Sequence, residues 1–222
     1  MYSYIAIQNT YDIFEMALFI NKTLVDHIQE DKRHTSKLFI PLLDQLLVKN
    51  NIDLSFLSFC AVNCGPGPFS TLRSVIASVN GIHFSTAIPL IGIDGLDATF
   101  IEFYKPQYHY TVILLNAFNN DVYYLIAQDK QILSKGYKKI DTFLEHIKHT
   151  YPAPVNFIGN GAILHQNLIN NILGANAVIA DPTPAYCSIK TIATLGLQAF
   201  ETNNYTADYL MPLHLKKHAV EL

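Results

Sequence analysis

The chain has 222 residues, half of them hydrophobic and 15% charged, with a formal net charge of −3. That length gives one large domain or two small ones with a sizeable core, and the mildly acidic balance offers no overall reason to bind nucleic acid. Cys60, Cys64 and Cys187 are odd in number and lack CxxC spacing, which argues against a disulfide framework or a zinc site.

In chain order, "YIAIQN" and "DIFEMALFI" read as strands, with "KTLVDHI" as a third. The opening "MYSYIAIQNT" has neither the charged start nor the apolar core of a signal peptide. No apolar run approaches the roughly 20 residues that span a bilayer, so a cytoplasmic chain is expected. A helix is predicted over residues 34–49, with Phe39, Leu42, Leu43, Leu46 and Leu47 on one stripe. A strand follows in "LSFCAVN", then a glycine-proline loop, a helix from Phe69 and a short strand at "PLIGI". After "EFYKPQYHY" the order restarts with "YTVILLNA", "DVYYLIAQD" and "QILSKGYKK" as strands. "DTFLEHIKHTY" reads as a helix, "VNFIGN" as a strand, and "ILHQNLINNIL" and "IKTIATLGLQAF" as helices. Two successive β-β-β-α-β-α halves imply a duplicated α/β fold of two mixed sheets, divided near Lys105-Pro106 into residues 1–104 and 105–222.

In two-domain folds of this plan, an acidic residue ending the first strand of each half holds magnesium and orients water. Here those strands end in Gln8 and Asn9, and in Asn116, neutral amides that cannot supply a carboxylate's charge to a hard cation. Asp12 and Asp121 fall in the following turn or strand and read as turn or surface residues. His146 with His149, and His214 with His218, lack the glutamate of HExxH spacing. Ser70 lies in no GxSxG elbow, and Cys64 has no evident base and reads as structural. Basic clusters at Lys135, Lys138 and Lys139 and at Lys216 and Lys217 read as solvated surface. No cofactor or metal is expected.

The stretch "CAVNCGPGPFSTLRSVIASVNGIHFS" poses a sharper question, because a glycine-rich loop opening a helix often holds phosphate. Pro68 suits the first turn of that helix, and Ser70 is placed to cap it. Ser74, Ala77, Ser78 and Gly81 form a small-residue face, while Val75, Val79 and Ile82 form an apolar one suited to a sheet. The small face allows close approach of a second helix, either the chain's own Phe39–Leu47 helix or a partner's. Gly81 costs about 1 kcal/mol relative to alanine in mid-helix and therefore requires a packing reason.

The same stretch resembles the G-P-G-S-F-T-G-L-R-[IV]-G…A-[KQ]-G-[LI] signature of the bacterial TsaB (YeaZ) family. The likeness continues along the chain. "YIAIQNT" is similar to A-I-D-T, and "RHTSKLFIPLLDQLL" to H-[ST]-x-x-L-L-P-x-[IL]-D-x-[LI]-L. "IPLIGIDGLDA" matches the strand after the signature, "ILLNAFNNDVYY" resembles I-D-A-R-x-G-E-V-Y, "FIGNGA" resembles V-G-x-G and "MPLHLKK" the closing P-x-Y-L-R.

The resemblance implies an actin-like (ASKHA, ribonuclease H-like) fold. It implies a non-catalytic docking subunit that binds a TsaD-type catalytic paralogue and, with a TsaE-type ATPase, supports threonylcarbamoyl transfer to the anticodon-adjacent adenosine of tRNA. Contact with tRNA is then only through the complex, no membrane is involved, and the chain alone forms a homodimer by the same face. The implied partner-binding residues are His34, Phe39, Leu42, Leu43 and Leu46 on the first helix, and Phe69, Arg73, Ser74, Ala77, Ser78 and Gly81 on the second. Gly65, Pro66 and Gly67 shape the loop before it. Departures from the family pattern are Pro68 for serine, Thr71 for glycine, Phe118 and Asn120 for arginine and glycine, His214 for tyrosine, and Pro41 one residue late. The alternative is an ATP-dependent phospho- or carbamoyl-transferase of the same fold, against which Gln8 and Asn116 argue. A peptidase reading lacks both a metal motif and a triad.

Overall fold

A computed structural model describes residues 2–152, 154–205, 209–213 and 215. The readings at His214, Lys216, Lys217 and His218 lie outside them. Three antiparallel strands open the chain: β1 (Ser3–Asn9), β2 (Ile13–Ile20) and β3 (Thr23–Asp31). They are followed by α1 (Thr35–Lys49), β4 (Phe59–Asn63), α2 (Phe69–Thr86), β5 (Leu90–Ile93) and α3 (Gly95–Phe103). The pattern repeats as β6 (Tyr110–Asn116), β7 (Asp121–Gln128), β8 (Gln131–Lys139), α4 (Ile140–Thr150) and β9 (Val155–Ile158). It closes with α5 (Asn160–Leu164), α6 (Gln166–Leu173), β10 (Ala177–Ile179) and α7 (Ile189–Glu201).

The duplication is visible strand by strand. One sheet has the order β3-β2-β1-β4-β5 and the other, from the matching edge, β8-β7-β6-β9-β10. In each, the first three strands pair antiparallel and the next two pair parallel. The opening strands have 7, 8 and 9 residues in both sheets. The register also slips at the same place, between Leu18 and Phe19 in β2 and between Ile126 and Ala127 in β7. Such a bulge bends the strand and increases its twist, so both sheets curl alike.

Two elements were not anticipated: α3 and the three-residue β10. The expected single helix over residues 163–173 is instead α5 and α6, parted at His165. The compact units also differ from halves divided at residue 104. One comprises residues up to Ala98 together with Ser188–Leu213; the other contains Thr99–Cys187. The cause is α7, which packs on β1, β4 and β5 of the first sheet.

In the first unit, α1 and α2 cover one face of the sheet. Ile5, Ile7, Met16, Leu18 and Val62 meet Phe39, Leu43, Leu46, Val75 and Val79 in one apolar cluster. In the second unit, Val112, Leu114, Val122 and Phe157 pack under Phe143, Leu144, Ile147 and Ile169 of α4 and α6. Full burial of each such side chain contributes about 1.5–3 kcal/mol.

Candidate functional site

The glycine-proline loop is held from below by amide side chains. Gln8, fully buried, donates from Nε2 to Glu15 Oε1 (3.0 Å), and its Oε1 accepts from Asn63 Nδ2 (2.9 Å). Asn63 Oδ1 in turn accepts the N–H of Gly65 (2.9 Å), and the Gly65 carbonyl accepts from the N–H of Gly95 (2.7 Å). At the outer end of this chain, His27 Nε2 lies 2.8 Å from Glu15 Oε2. Gly65 adopts φ +99°, and a Cβ there would lie 2.7 Å from Leu72 Cδ2. A phosphate cradle needs several free N–H groups in succession. Pro66 and Pro68 have none, and Gly65 has committed its own. Within Gly65–Pro68 this leaves only the Gly67 N–H to donate, so the loop by itself is a brace and not a cradle.

Asn9, the last residue of β1, extends the bracing to the helices. Its Nδ2 donates to Thr71 Oγ1 (2.8 Å), and its Oδ1 accepts from Thr35 Oγ1 (3.2 Å). One buried amide therefore ties the first turns of α1 and α2 together. Thr71, a departure from the family glycine, supplies the hydroxyl that makes this tie possible. The N-cap of α2 is Pro68, without a side-chain cap, so the expected cap by Ser70 is not made. The Thr71 hydroxyl donates to the Pro68 carbonyl (3.2 Å), which caps none of the helix's first N–H groups. In the second sheet, Asn116 ends β6 as Asn9 ends β1. Its Oδ1 accepts from the Phe118 N–H (2.8 Å), which shapes the β6–β7 turn. Asp121 is buried in β7 and accepts a hydrogen bond from the Tyr137 hydroxyl, whereas Asp12 is an exposed turn residue.

The thiols are sealed. Burial pushes Cys60 up to about 12, and burial with the nearby Asp94 carboxylate does the same for Cys64. Neither supplies a thiolate near neutral pH. Among the described residues, no group of three or more histidine, cysteine or acidic side chains is placed to hold a metal ion. His149 pairs instead with Glu145 one turn back on α4 (3.6 Å).

The implied partner-binding residues separate into two sets. Phe39, Leu43 and Leu46 are 1%, 6% and 0% exposed and belong to the chain's own core; Leu42 packs partly against it. Their assignment to the partner face is corrected: on an amphipathic helix the strongest apolar stripe faces the nearest core, here the sheet. The outward side of α1 carries Ile40 and Val48 instead, two turns apart and exposed by 56% and 67%. On α2 the outward stripe is Phe69, Arg73, Ala77, Gly81 and Phe84. Arg73 lies over the Phe69 ring, 5.0 Å from its centroid, and Phe84 is 92% exposed. Ser74 and Ser78 are half-buried and donate to carbonyls four residues back (3.1 and 2.9 Å). His34 is exposed and lies 3.3 Å from Glu30.

α1 and α2 pack side by side. A Cβ at Gly81 would meet nothing within 4 Å. The close approach that a mid-helix glycine permits is therefore unused within the chain. Ile40, Val48 and Phe84 were not among the expected residues, although helical spacing from Ala77 and Gly81 points to Phe84.

The model of the TsaD family, tRNA N6-adenosine threonylcarbamoyltransferase, matches residues 23–213. The chain belongs to this family. A relative from Buchnera aphidicola subsp. Schizaphis graminum, named tRNA threonylcarbamoyladenosine biosynthesis protein TsaB, is 29% identical over 93 residues. That match covers 41% of this chain and 44% of the relative's length. Two solved structures from Pseudomonas aeruginosa, YeaZ and a protein described as similar to peptidase YeaZ, superpose with a TM-score of 0.74 each. Both cover 97% of this chain and 100% of their own, at 18% and 16% identity. The TsaB (YeaZ) assignment read from the GPG signature agrees with these names, and the fold is the duplicated actin-like one. No helix among the described residues is long and apolar enough to cross a membrane.

Proposed function

We propose that the chain is a non-catalytic subunit in the synthesis of threonylcarbamoyladenosine on tRNA, docking onto a TsaD-type catalytic paralogue. The observation that carries this reading is the open outer face of α1 and α2. It joins exposed Ile40, Val48, Phe69 and Phe84 to a mid-helix glycine with empty space in front of it. Burying such side chains in a partner contributes about 1.5–3 kcal/mol each, more than enough to offset the roughly 1 kcal/mol that Gly81 costs. Gly65, Pro66 and Gly67 set the position of α2, and Asn9 fixes it to α1. A TsaE-type ATPase joins the assembly, tRNA is met only through it, and without a partner two copies pair through the same face.

The family's description as a transferase keeps a catalytic reading in view. Gln8 and Asn9 oppose it, because both amides are spent on internal struts and neither carries charge for a metal. The decisive experiment places Ala77→Arg in cells as the sole copy and measures tRNA nucleosides by mass spectrometry. A buried unpaired arginine costs several kcal/mol at a close helix contact, so the modification is lost while the protein stays folded. Cys64→Ser, which changes only a sealed thiol, retains it. Normal modification with a folded Ala77→Arg chain would refute the docking reading.

A further inference from the structure

The opposite face of the first sheet holds a second feature, unrelated to docking. There α7 crosses close to the strands, since a Cβ at Gly196 would lie 2.4 Å from that of Ala61. Beside the helix is a cavity of about 330 Å³. Its floor is a cross-strand row in register, Tyr4 of β1, Phe19 of β2 and Leu24 of β3. Lys22, Lys190 and Glu201 stand at its rim.

Three properties of these groups point to a ligand. Tyr4 is 1% exposed and its ring is fixed between Phe19 and Phe59, with centroids 5.4 and 4.5 Å away. Its hydroxyl nevertheless makes no hydrogen bond among the described residues. The hydroxyl is not one of the sealed, partnerless polar atoms among the described residues, so it is open to the cavity that Tyr4 lines. Burial, with the Glu201 carboxylate adding to it, pushes this phenol up to about 12, so the hydroxyl is a standing donor. Lys22 and Lys190 likewise form no ion pair among the described residues.

The charges are also arranged along the cavity. Lys190 is in the first turn of α7 and Glu201 ends it, roughly 16 Å apart at 1.5 Å per residue. The Glu201 end adjoins the β2–β3 turn that carries Lys22: the Asn21 N–H donates to the Tyr2 carbonyl, and Tyr2 packs on Phe200. Lys22 and Glu201, opposite in charge though not in ion-pair contact, share that end, and Lys190 stands without an acidic partner at the other. We propose that this cavity binds a small aromatic carboxylate, with its ring on the Tyr4–Phe19–Leu24 floor and its carboxylate at Lys190. A single carboxylate matches one free ammonium, whereas a dianion is disfavoured by Glu201. The volume is at the lower end of the range for small-molecule sites.

The test titrates isotope-labelled full-length chain with indole-3-acetate and 4-hydroxyphenylacetate, following amide shifts by NMR up to about 5 mM, where even millimolar affinity is visible. Indole-3-acetamide serves as the neutral analogue and inorganic phosphate as the bare anion. Saturable shifts are expected at Phe19, Leu24 and the 190–201 helix for at least one acid, with the amide weaker by about tenfold or more, as expected for loss of a charge-assisted contact. Lys190→Glu, an exposed change that leaves the melting curve intact, abolishes the shifts. Tyr4→Phe, which keeps the ring, weakens them. Absence of shifts with both acids, equal binding of the amide, full binding by folded Lys190→Glu, or shifts with phosphate alone would each overturn the proposal.

Discussion

Asn9, at the end of β1, acts as a strut. Its amide offers a donor and an acceptor at once, and each is used, on Thr71 and on Thr35. A carboxylate could accept from both but could donate to neither. Asn9→Ala removes both bonds, although Thr35 and Thr71 keep those to the Lys32 and Pro68 carbonyls, and should lower stability by about 1–2 kcal/mol. Urea unfolding of the wild type and variant checks this, and an unchanged midpoint would show that the tie carries no weight. The buried thiols give a pH signature. Cys60 and Cys64 hold their protons up to about 12 when folded, against 9.0 for an ordinary thiol. Their contribution is therefore fully present below pH 9 and is lost as pH rises from 9 towards 12. The slope is at most about 1.4 kcal/mol per pH unit for each thiol. Cys60→Ala should flatten the loss of stability between pH 8 and pH 10.5, and parallel pH profiles for the two proteins would contradict it.

At the scale of elements, α2 is defined by what faces each side. Val75, Val79 and Ile82 are held against the sheet, and Gly81 faces open space. Gly81→Ala should thus stabilise the chain by about 1 kcal/mol at dilutions where it is monomeric, read as a higher melting temperature, because the new methyl meets nothing within the chain. A lower melting temperature would mean that the face is already occupied. The strands and α1, α2, α4 and α7 were legible because their apolar residues repeat at periods of two or near 3.6. The missed α3 is apolar around much of its circumference and so shows no clean stripe. Its signal was Asp94, whose Oδ1 accepts from the N–H groups of Leu96 (2.8 Å) and Asp97 (3.3 Å) in the manner of an N-cap. The start of α5 depends on a tertiary contact at its N-cap, Gly159. A Cβ at Gly159 would lie 2.1 Å from the Leu114 carbonyl oxygen, which no local pattern reveals. The candidate face was half legible. Periodicity located both helices, but it does not say whether a stripe such as Phe39, Leu43 and Leu46 meets the chain's own sheet or another protein.

Across the whole molecule, two copies of one sheet plan carry different duties. The first braces a loop and two helices; in the second, Asn116 shapes a turn. With both strand-end asparagines and Gln8 committed to internal hydrogen bonds, the purified chain should release phosphate from ATP at buffer background. Turnover abolished by Asn9→Ala would overturn that expectation. Docking is the central claim, and calorimetric titration of the chain into the TsaD-type paralogue of the same organism tests it most directly. Saturable one-to-one binding is expected for the wild type, with loss of measurable heat for Ala77→Arg at an unchanged melting temperature, because a few central side chains dominate such interfaces. Wild-type affinity in the folded Ala77→Arg chain, or no binding by the wild type itself, would contradict the account.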